Sequence, residues 1–163
     1  MSVTSCKKKE IGPQCPTCIE EDIAIKYDDV IIGCEGNFGW GNASISLFNP
    51  TDNSITNTVF QNINGYALGD VLQSITEYNG HLFAVVNNSG KIEVLDTATY
   101  QKTATISGLT SPRYFCGINN SKAYVSDLFS DQIAILDLGN NSVIGNINTG
   151  GWTEEMLLFQ DRV

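Results

Sequence analysis

Two stretches of this chain repeat each other at a fixed interval of 41 residues, and an interval of that length filled with short apolar strands leaves few folds open. Asn79-Gly80-His81-Leu82-Phe83-Ala84-Val85 answers to Asn120-Ser121-Lys122-Ala123-Tyr124-Val125-Ser126. Lys91-Ile92-Glu93-Val94-Leu95-Asp96 answers to Gln132-Ile133-Ala134-Ile135-Leu136-Asp137 at the same offset, with no gap between the two pairs. Thr105-Ile106 falls on Asn146-Ile147, again 41 residues on. An earlier copy, Ser44-Ile45-Ser46-Leu47-Phe48-Asn49, lies 47 positions before the Lys91 copy, and its six extra residues are assigned to the loop Glu35–Asn42.

Each unit reads as four strands. In the best-defined unit strand A spans about Ser74–Tyr78, strand B Leu82–Val86, strand C Lys91–Leu95 and strand D Lys102–Ile106. Strand B is apolar on both faces, as suits a strand covered on both sides. Strand C alternates, so Ile92 and Val94 are expected inward and Lys91 and Glu93 outward. Strand D is the most polar, as an outer edge should be. Asn49, Asp96 and Asp137 close their C strands, where an Asx side chain can hydrogen-bond the turn that follows. A gradient from apolar inner strand to polar outer strand, repeated about every 40 residues, predicts an all-β fold: a β-propeller of four-stranded antiparallel blades. A sandwich has no reason to repeat at a fixed interval, and a β-helix coil is shorter. The expected organisation is a tether over residues 1–22 and a partial propeller over 23–163. Its blades fall at about 23–62, 73–108 and 114–149, and the next begins at 155–163, near Met156-Leu157-Leu158-Phe159. Three blades do not close a ring, so an incomplete ring is expected, the N-terminal fragment of a longer propeller or the product of a truncated reading frame.

Composition narrows the partners. The net charge is −9, with 9 Lys and Arg against 18 Asp and Glu. Phosphate contacts need a basic face, so nucleic acid is excluded as the expected partner. No run of about 20 apolar residues is present, so no helix spans a membrane. The tether opens Val3-Thr4-Ser5-Cys6, followed by Lys7-Lys8-Lys9. An aliphatic residue, two small residues and a cysteine resemble the end of a bacterial lipoprotein signal, which marks Cys6 as the lipid-bearing residue and the only link to a membrane. Cys15-Pro16-Thr17-Cys18 lacks the second pair that a zinc site needs and the strand-to-helix setting of a redox motif. It is expected to be a local disulfide or two free thiols. Cys34 and Cys116 sit in apolar runs and are expected to be small buried hydrophobes.

The chain also resembles the YncE-like β-propellers of bacterial cell-surface proteins, in particular lipoproteins of Bacteroidota. The matching residues are Leu68-Gly69-Asp70-Val71-Leu72-Gln73-Ser74-Ile75 and Val85-Val86-Asn87-Asn88-Ser89-Gly90-Lys91-Ile92-Glu93-Val94. They continue with Gly108-Leu109-Thr110-Ser111-Pro112-Arg113-Tyr114 and Lys122-Ala123-Tyr124-Val125-Ser126-Asp127-Leu128. The resemblance implies a lipid-anchored protein of the cell surface or outer membrane, with the periplasm as the alternative. It implies capture of a small nutrient such as cobalamin, as in a surface lipoprotein of that family that works on top of an outer-membrane transporter.

In a propeller the D-to-A and B-to-C loops share one face. Here the D-to-A loops are Gly65–Gln73, Leu109–Tyr114 and Gly150–Glu155, and the B-to-C loops are Glu35–Asn42, Asn87–Gly90 and Asp127–Asp131. The candidate ligand-binding residues on them are Asn37, Phe38, Trp40, Asp70, Gln73, Asn87, Asn88, Arg113, Tyr114, Asp127, Trp152 and Glu154, with Phe129 among the aromatics. Aromatics beside amides and a few charges suit a polar ligand with flat surfaces. Catalysis has little support. His81 is the one histidine and sits in a turn, so no Ser/His/Asp group forms at the loop face and no histidine cluster offers a metal site. The expected function is therefore non-enzymatic ligand binding, with no cofactor. A protein–protein interaction scaffold at the outer membrane is the alternative. A lactonase-like hydrolase holding Ca²⁺ on Glu35, Asp70, Asp127 and Glu154 is the least favoured.

Overall fold

The structure, a computed structural model, describes residues 29–160. The tether, with Cys6, Cys15 and Cys18, lies outside the described residues, as do the last three residues of the expected fourth unit. Three antiparallel sheets follow one another along the chain. The first contains β1 (Val30–Cys34), β2 (Ser44–Asn49) and β3 (Ser54–Thr56) in that order. A short helix, α1 (Val59–Asn64), leads to the second sheet, which orders β4 (Leu72–Tyr78), β5 (His81–Val86), β6 (Lys91–Asp96) and β7 (Lys102–Ile106). The third orders β8 (Pro112–Asn119), β9 (Lys122–Asp127), β10 (Gln132–Asp137) and β11 (Ser142–Asn148). Consecutive sheets meet along their first strands, β1 against β4 and β4 and β5 against β8. That is the radial arrangement of a propeller, here an open arc of blades.

The repeat holds at the level of individual residue pairs. In the second sheet His81 pairs with Asp96, Leu82 with Leu95, Phe83 with Val94 and Ala84 with Glu93. In the third, Lys122 pairs with Asp137, Ala123 with Leu136, Tyr124 with Ile135 and Val125 with Ala134, each 41 positions on. Because side chains alternate with period two, an identical register puts equivalent residues on equivalent faces. The core is accordingly split into two layers, each between neighbouring sheets. Ala43, Ile45, Leu82, Ala84, Val86 and Leu95 join the first sheet to the second, with Phe60 and Leu68 of the connection closing the layer. Phe83, Val85, Ile92, Val94 and Ile106 meet Phe115, Ala123, Val125, Ala134 and Leu136 between the second and third. Phe83 and Phe115 stack with centroids 4.0 Å apart and planes 13° from parallel. Each buried Val, Leu, Ile or Phe among them contributes about 1.5–3 kcal/mol relative to exposure.

The Asx expectation holds. Asn49 Oδ1 accepts the Thr51 N–H, Asp96 Oδ1 accepts the N–H groups of Ala98 and Thr99, and Asp137 Oδ1 accepts that of Gly139.

Three expectations need correction. The six extra residues before the Lys91 copy are not in the Glu35–Asn42 loop, which precedes β2. They lie between β3 and β4, where α1 adds six residues to the connection. The loop around Trp40 is elaborated separately, since nine residues separate β1 from β2 where four separate β5 from β6. Glu93 does not face outward. It is 1% exposed and turned toward the first sheet, held by Lys91 Nζ at 2.6 Å and by the Thr105 hydroxyl at 2.6 Å. With an apolar layer on both sides of the sheet, strand alternation no longer separates core from solvent. Cys34 and Cys116 are free thiols and half-buried rather than enclosed, because each lies on the outward face of an end sheet.

Candidate functional site

The two kinds of loop do meet at one end of the sheets, and backbone hydrogen bonds stitch them together. The Ala43 N–H donates to Gly69 O at 3.1 Å, the Leu72 N–H to Glu35 O at 3.1 Å and the Thr153 N–H to Asp127 O at 3.1 Å. The Asn87 and Asn88 N–H groups donate to Val71 O and Asp70 O. Each bond joins a D-to-A connection to a B-to-C loop, so the face is one continuous surface.

Several polar candidates are consumed in building it. Asn87 is 8% exposed, and its Nδ2 donates to Ser111 Oγ at 2.9 Å and Pro112 O at 3.0 Å, tying the second sheet to the third. Asp127, also buried, accepts the N–H groups of Thr110 and Ser111 on one oxygen and of Phe129 on the other. Asp70 Oδ2 accepts the Gly39 N–H at 2.7 Å and Asn88 Nδ2 at 2.6 Å, which pins the Trp40 loop to the second blade. Asn88 first, and then the amides of Gly39, Gly41 and Trp40, hold the Asp70 carboxyl below the usual carboxylate range against some desolvation. Gly69 makes this approach possible. Its φ is +136°, and a Cβ there would meet Ser89 Oγ at 2.7 Å and Val86 Cγ1 at 2.9 Å.

A polar chain runs across the starts of the inner strands. Arg113 donates through a terminal guanidinium nitrogen to Gln73 Oε1 at 2.5 Å and through Nε to Glu154 Oε2 at 2.8 Å. Arg113 and Glu154 are 41 residues apart, and Gln73 lies 40 before Arg113, so one repeat position links three successive units. The Ser74 hydroxyl donates to Arg113 O at 2.7 Å alongside. The spacing of Gln73, Arg113 and Glu154 at 40 and 41 residues is the signal for this chain, yet residue types alone present them as separate ligand-binding candidates, and Ser111 and Thr153 are not among the candidates.

The aromatics behave differently. Trp40 is 76% exposed, Phe38 74%, Phe129 78% and Trp152 64%, while Tyr114 is half-buried with its N–H donated to Ser126 Oγ. Asn37 is exposed at the base of the turn that carries Trp40, its N–H donated to Asn42 Oδ1. A cavity of about 140 Å³ opens on this face between Gly108–Thr110 and Ser130–Gln132, beside Asp127. Among the described residues no group of three or more His, Cys, Asp and Glu side chains is placed to hold a metal ion, because Asp70, Asp127 and Glu154 each serve a different loop. His81 stays in its turn, its Nδ1 3.1 Å from Asn79 O. No helix among the described residues is long and apolar enough to cross a membrane.

Solved structures share this architecture. AztD from Citrobacter koseri is 16% identical, with 66% of this chain and 30% of that chain covered and a TM-score of 0.51. The WD40 β-propeller domain of Doa1 is 18% identical over 64% of this chain and 33% of that chain, with a TM-score of 0.50. A chain of a nidogen/laminin complex is 14% identical over 69% and 41%, with a TM-score of 0.52. This chain spans less than half the length of each, and at such identities the likeness is one of propeller fold. No curated protein matches. Residues 29–161, nearly all of the repeating part, match the model of a family described as a domain of unknown function (DUF5074), and the chain belongs to that family.

Proposed function

We propose that this chain is a non-enzymatic ligand-binding propeller segment whose loop face captures a small nutrient with flat apolar surfaces. The observation that carries the reading is the contrast on that face. Four large aromatic side chains stand in solvent on loops whose backbones are fixed by hydrogen bonds between blades. Isolated exposed apolar residues are ordinary, but several aromatics gathered on one built face mark a binding surface. Loops held before a ligand arrives lose little entropy on binding it. The Asp70, Asp127 and Arg113 charges are neutralised or hydrogen-bonded within the protein, which favours binding over acid–base chemistry.

The resemblance to YncE-like surface lipoproteins gives the reading its specific form. A corrin ring is broad and flat, with amide side chains at its rim, so a cobalamin would stack on Trp40 and Trp152 and meet Asn37 and Asn88. The protein would be held at the cell surface through a lipid on Cys6 and hand its ligand to an outer-membrane transporter. Calorimetric titration of the protein with cyanocobalamin tests this. Binding at micromolar protein that weakens at least tenfold in Trp40→Ala supports it, and the absence of heat at that concentration removes cobalamin.

A further inference from the structure

A second cavity, of about 190 Å³, opens between the second and third sheets at the end opposite the loop face. Three turns surround its mouth, bringing Asn79 from between β4 and β5, Asn120 from between β8 and β9 and Asn141 from between β10 and β11. Phe83 and Val94, 3% and 1% exposed, close its floor, with Leu138 beside them. The Tyr78 ring forms a wall. It is fixed there because it packs on Gly117 and tilts against Phe115 with centroids 5.9 Å apart. Each of the two bounding sheets has its four strands.

The polar groups around this cavity include donors and acceptors and carry no fixed charge. His81 lines it with Nδ1 3.1 Å from Asn79 O. A carbonyl only accepts, so Nδ1 carries the hydrogen, and in the neutral imidazole Nε2 is left as an acceptor. The three amides both donate and accept, and so does the Tyr78 hydroxyl. Neither a carboxylate nor an ammonium lines the cavity, in a chain of net charge −9. Asn79 and Asn141 have φ of +51° and +50°, which asparagine tolerates better than most residues, so their turns account for them. Asn120 stands 41 residues after Asn79 without that φ, and the backbone gives no reason for its amide.

We propose that this cavity binds one ring of a neutral saccharide. A pyranose presents C–H groups on its faces and hydroxyls all round its edge. The cavity has the matching layout, an apolar floor with polar groups from three separate turns encircling it. An anion would meet no cation there. A nucleobase, whose donors and acceptors lie in one plane, would leave part of the circle unpaired. A cavity of about 150 Å³ accepts a benzene ring, so 190 Å³ suits a single six-membered ring with its substituents. The site is separate from Trp40 and the other loop-face aromatics, which stand at the far end of the sheets, and it does not rest on their role.

Proton NMR of the whole chain tests the proposal, because His81 is the one histidine and its ring C–H signals report this cavity alone. Glucose, methyl glucoside, methyl galactoside and N-acetylglucosamine are the probes, with gluconate and uridine as controls. At least one probe is expected to shift the His81 signals saturably, with half-saturation in the millimolar range usual for so small a ligand. Asn120→Ala, at an exposed turn residue, and Tyr78→Phe, which keeps the ring on Gly117, are each expected to raise the half-saturation about fivefold, as loss of one hydrogen bond does. Either variant decides the matter if the other fails to fold. Trp40→Ala is expected to leave the titration unchanged. Tighter binding of methyl glucoside than of glucose assigns the site to the end of a glycan chain, and the reverse to a free sugar. The absence of a saturable shift with all four probes overturns the proposal. So does a shift that gluconate or uridine matches, that Trp40→Ala abolishes, or that a folded Asn120→Ala or Tyr78→Phe leaves as in the wild type.

Discussion

Asn87 separates a residue that builds the loop face from one that reads a ligand. Its Nδ2 spends both hydrogens, on Ser111 Oγ at 2.9 Å and Pro112 O at 3.0 Å, in a setting only 8% exposed. Asn87→Ala deletes both bonds and leaves the Pro112 carbonyl and the Ser111 hydroxyl, itself 3% exposed, facing a void. Net bonds of about 0.5–1.5 kcal/mol each, with a stranded buried acceptor toward the upper end, give a loss of about 2–3 kcal/mol. At about 2–4 °C per kcal/mol for a chain of this size, the melting midpoint falls by roughly 5–10 °C. Asn87→Asp keeps the shape but offers the Pro112 oxygen no hydrogen at neutral pH, so it is expected to be less stable than Asn87→Ala. Burial among acceptors raises the folded pKa of that new carboxyl. The penalty is therefore present above the ordinary carboxylate pKa and is relieved as pH falls through the raised folded value. In a double-mutant cycle Asn87→Ala and Ser111→Ala should cost less together than the sum of each alone. Differential scanning calorimetry reads the wild type and the four variants. An Asn87→Ala midpoint within 1 °C of wild type, or additivity with Ser111→Ala, would refute the reasoning and return Asn87 to the ligand.

Gly117→Ala places a Cβ inside the Tyr78 ring that packs on it. The overpacking costs about 1–3 kcal/mol, and Tyr78→Ala should suppress much of the difference between the glycine and alanine forms in thermal melts. Asp70→Asn loosens the Trp40 loop, read as a fall in Trp40 fluorescence anisotropy in a Trp152→Phe background. Because the Asp70 pKa is lowered, chiefly by Asn88, the wild-type loop keeps this support above the ordinary carboxylate pKa and loses it as pH falls through the folded value. No change in anisotropy between pH 7 and pH 2.5 would contradict this. Ile106→Ala, at a fully buried site, is expected to cost about 2–5 kcal/mol in chemical denaturation. Its repeat counterpart Ile147→Ala, at a site 38% exposed, should cost under about 1 kcal/mol. Equal losses would mean that the two positions have the same surroundings.

The strands of the second and third sheets were legible because two signals agreed. Period-two patterning named the strands, and the 41-residue offset named their partners, so Leu82 to Val86 and Lys122 to Asp127 fell into matching registers. What escaped was whatever the offset alone could not locate. A difference of 47 between copies shows that six residues are added but not where, and α1 contains nothing beyond Val59 and Phe60 to announce a helix that buries its first turn. Glu93 escaped because a charge in an alternating strand is ordinarily solvated, and only the neighbouring Lys91 and Thr105 make its burial tolerable. The sequence located the loops that meet at one end of the sheets. It could not divide the polar residues between structure and display, since that depends on which donors and acceptors the blades bring within 3 Å.

That division shapes what the face can recognise. Asn87, Asp127 and Asp70 hold loops, and Arg113 is committed on both sides, to Gln73 and Glu154. A ligand that sought Arg113 as an anion site would have to displace Glu154, exchanging one carboxylate contact for another with little gain. The groups left uncommitted are flat and apolar, with Asn37, whose carbonyl accepts the Trp40 N–H, and Asn88 as exposed polar neighbours. Stacking on Trp40, Phe129 and Trp152 is tolerant of ligand identity, because a π-face offers area rather than a pattern of donors and acceptors. On the proposed reading, selectivity comes from spacing: from how far apart the blades hold their aromatics, which the inter-blade bonds of Asn87 and Asp70 set. A substitution that never touches ligand, Asn87→Ala above all, should for that reason blunt discrimination between ligands of different width before it abolishes binding.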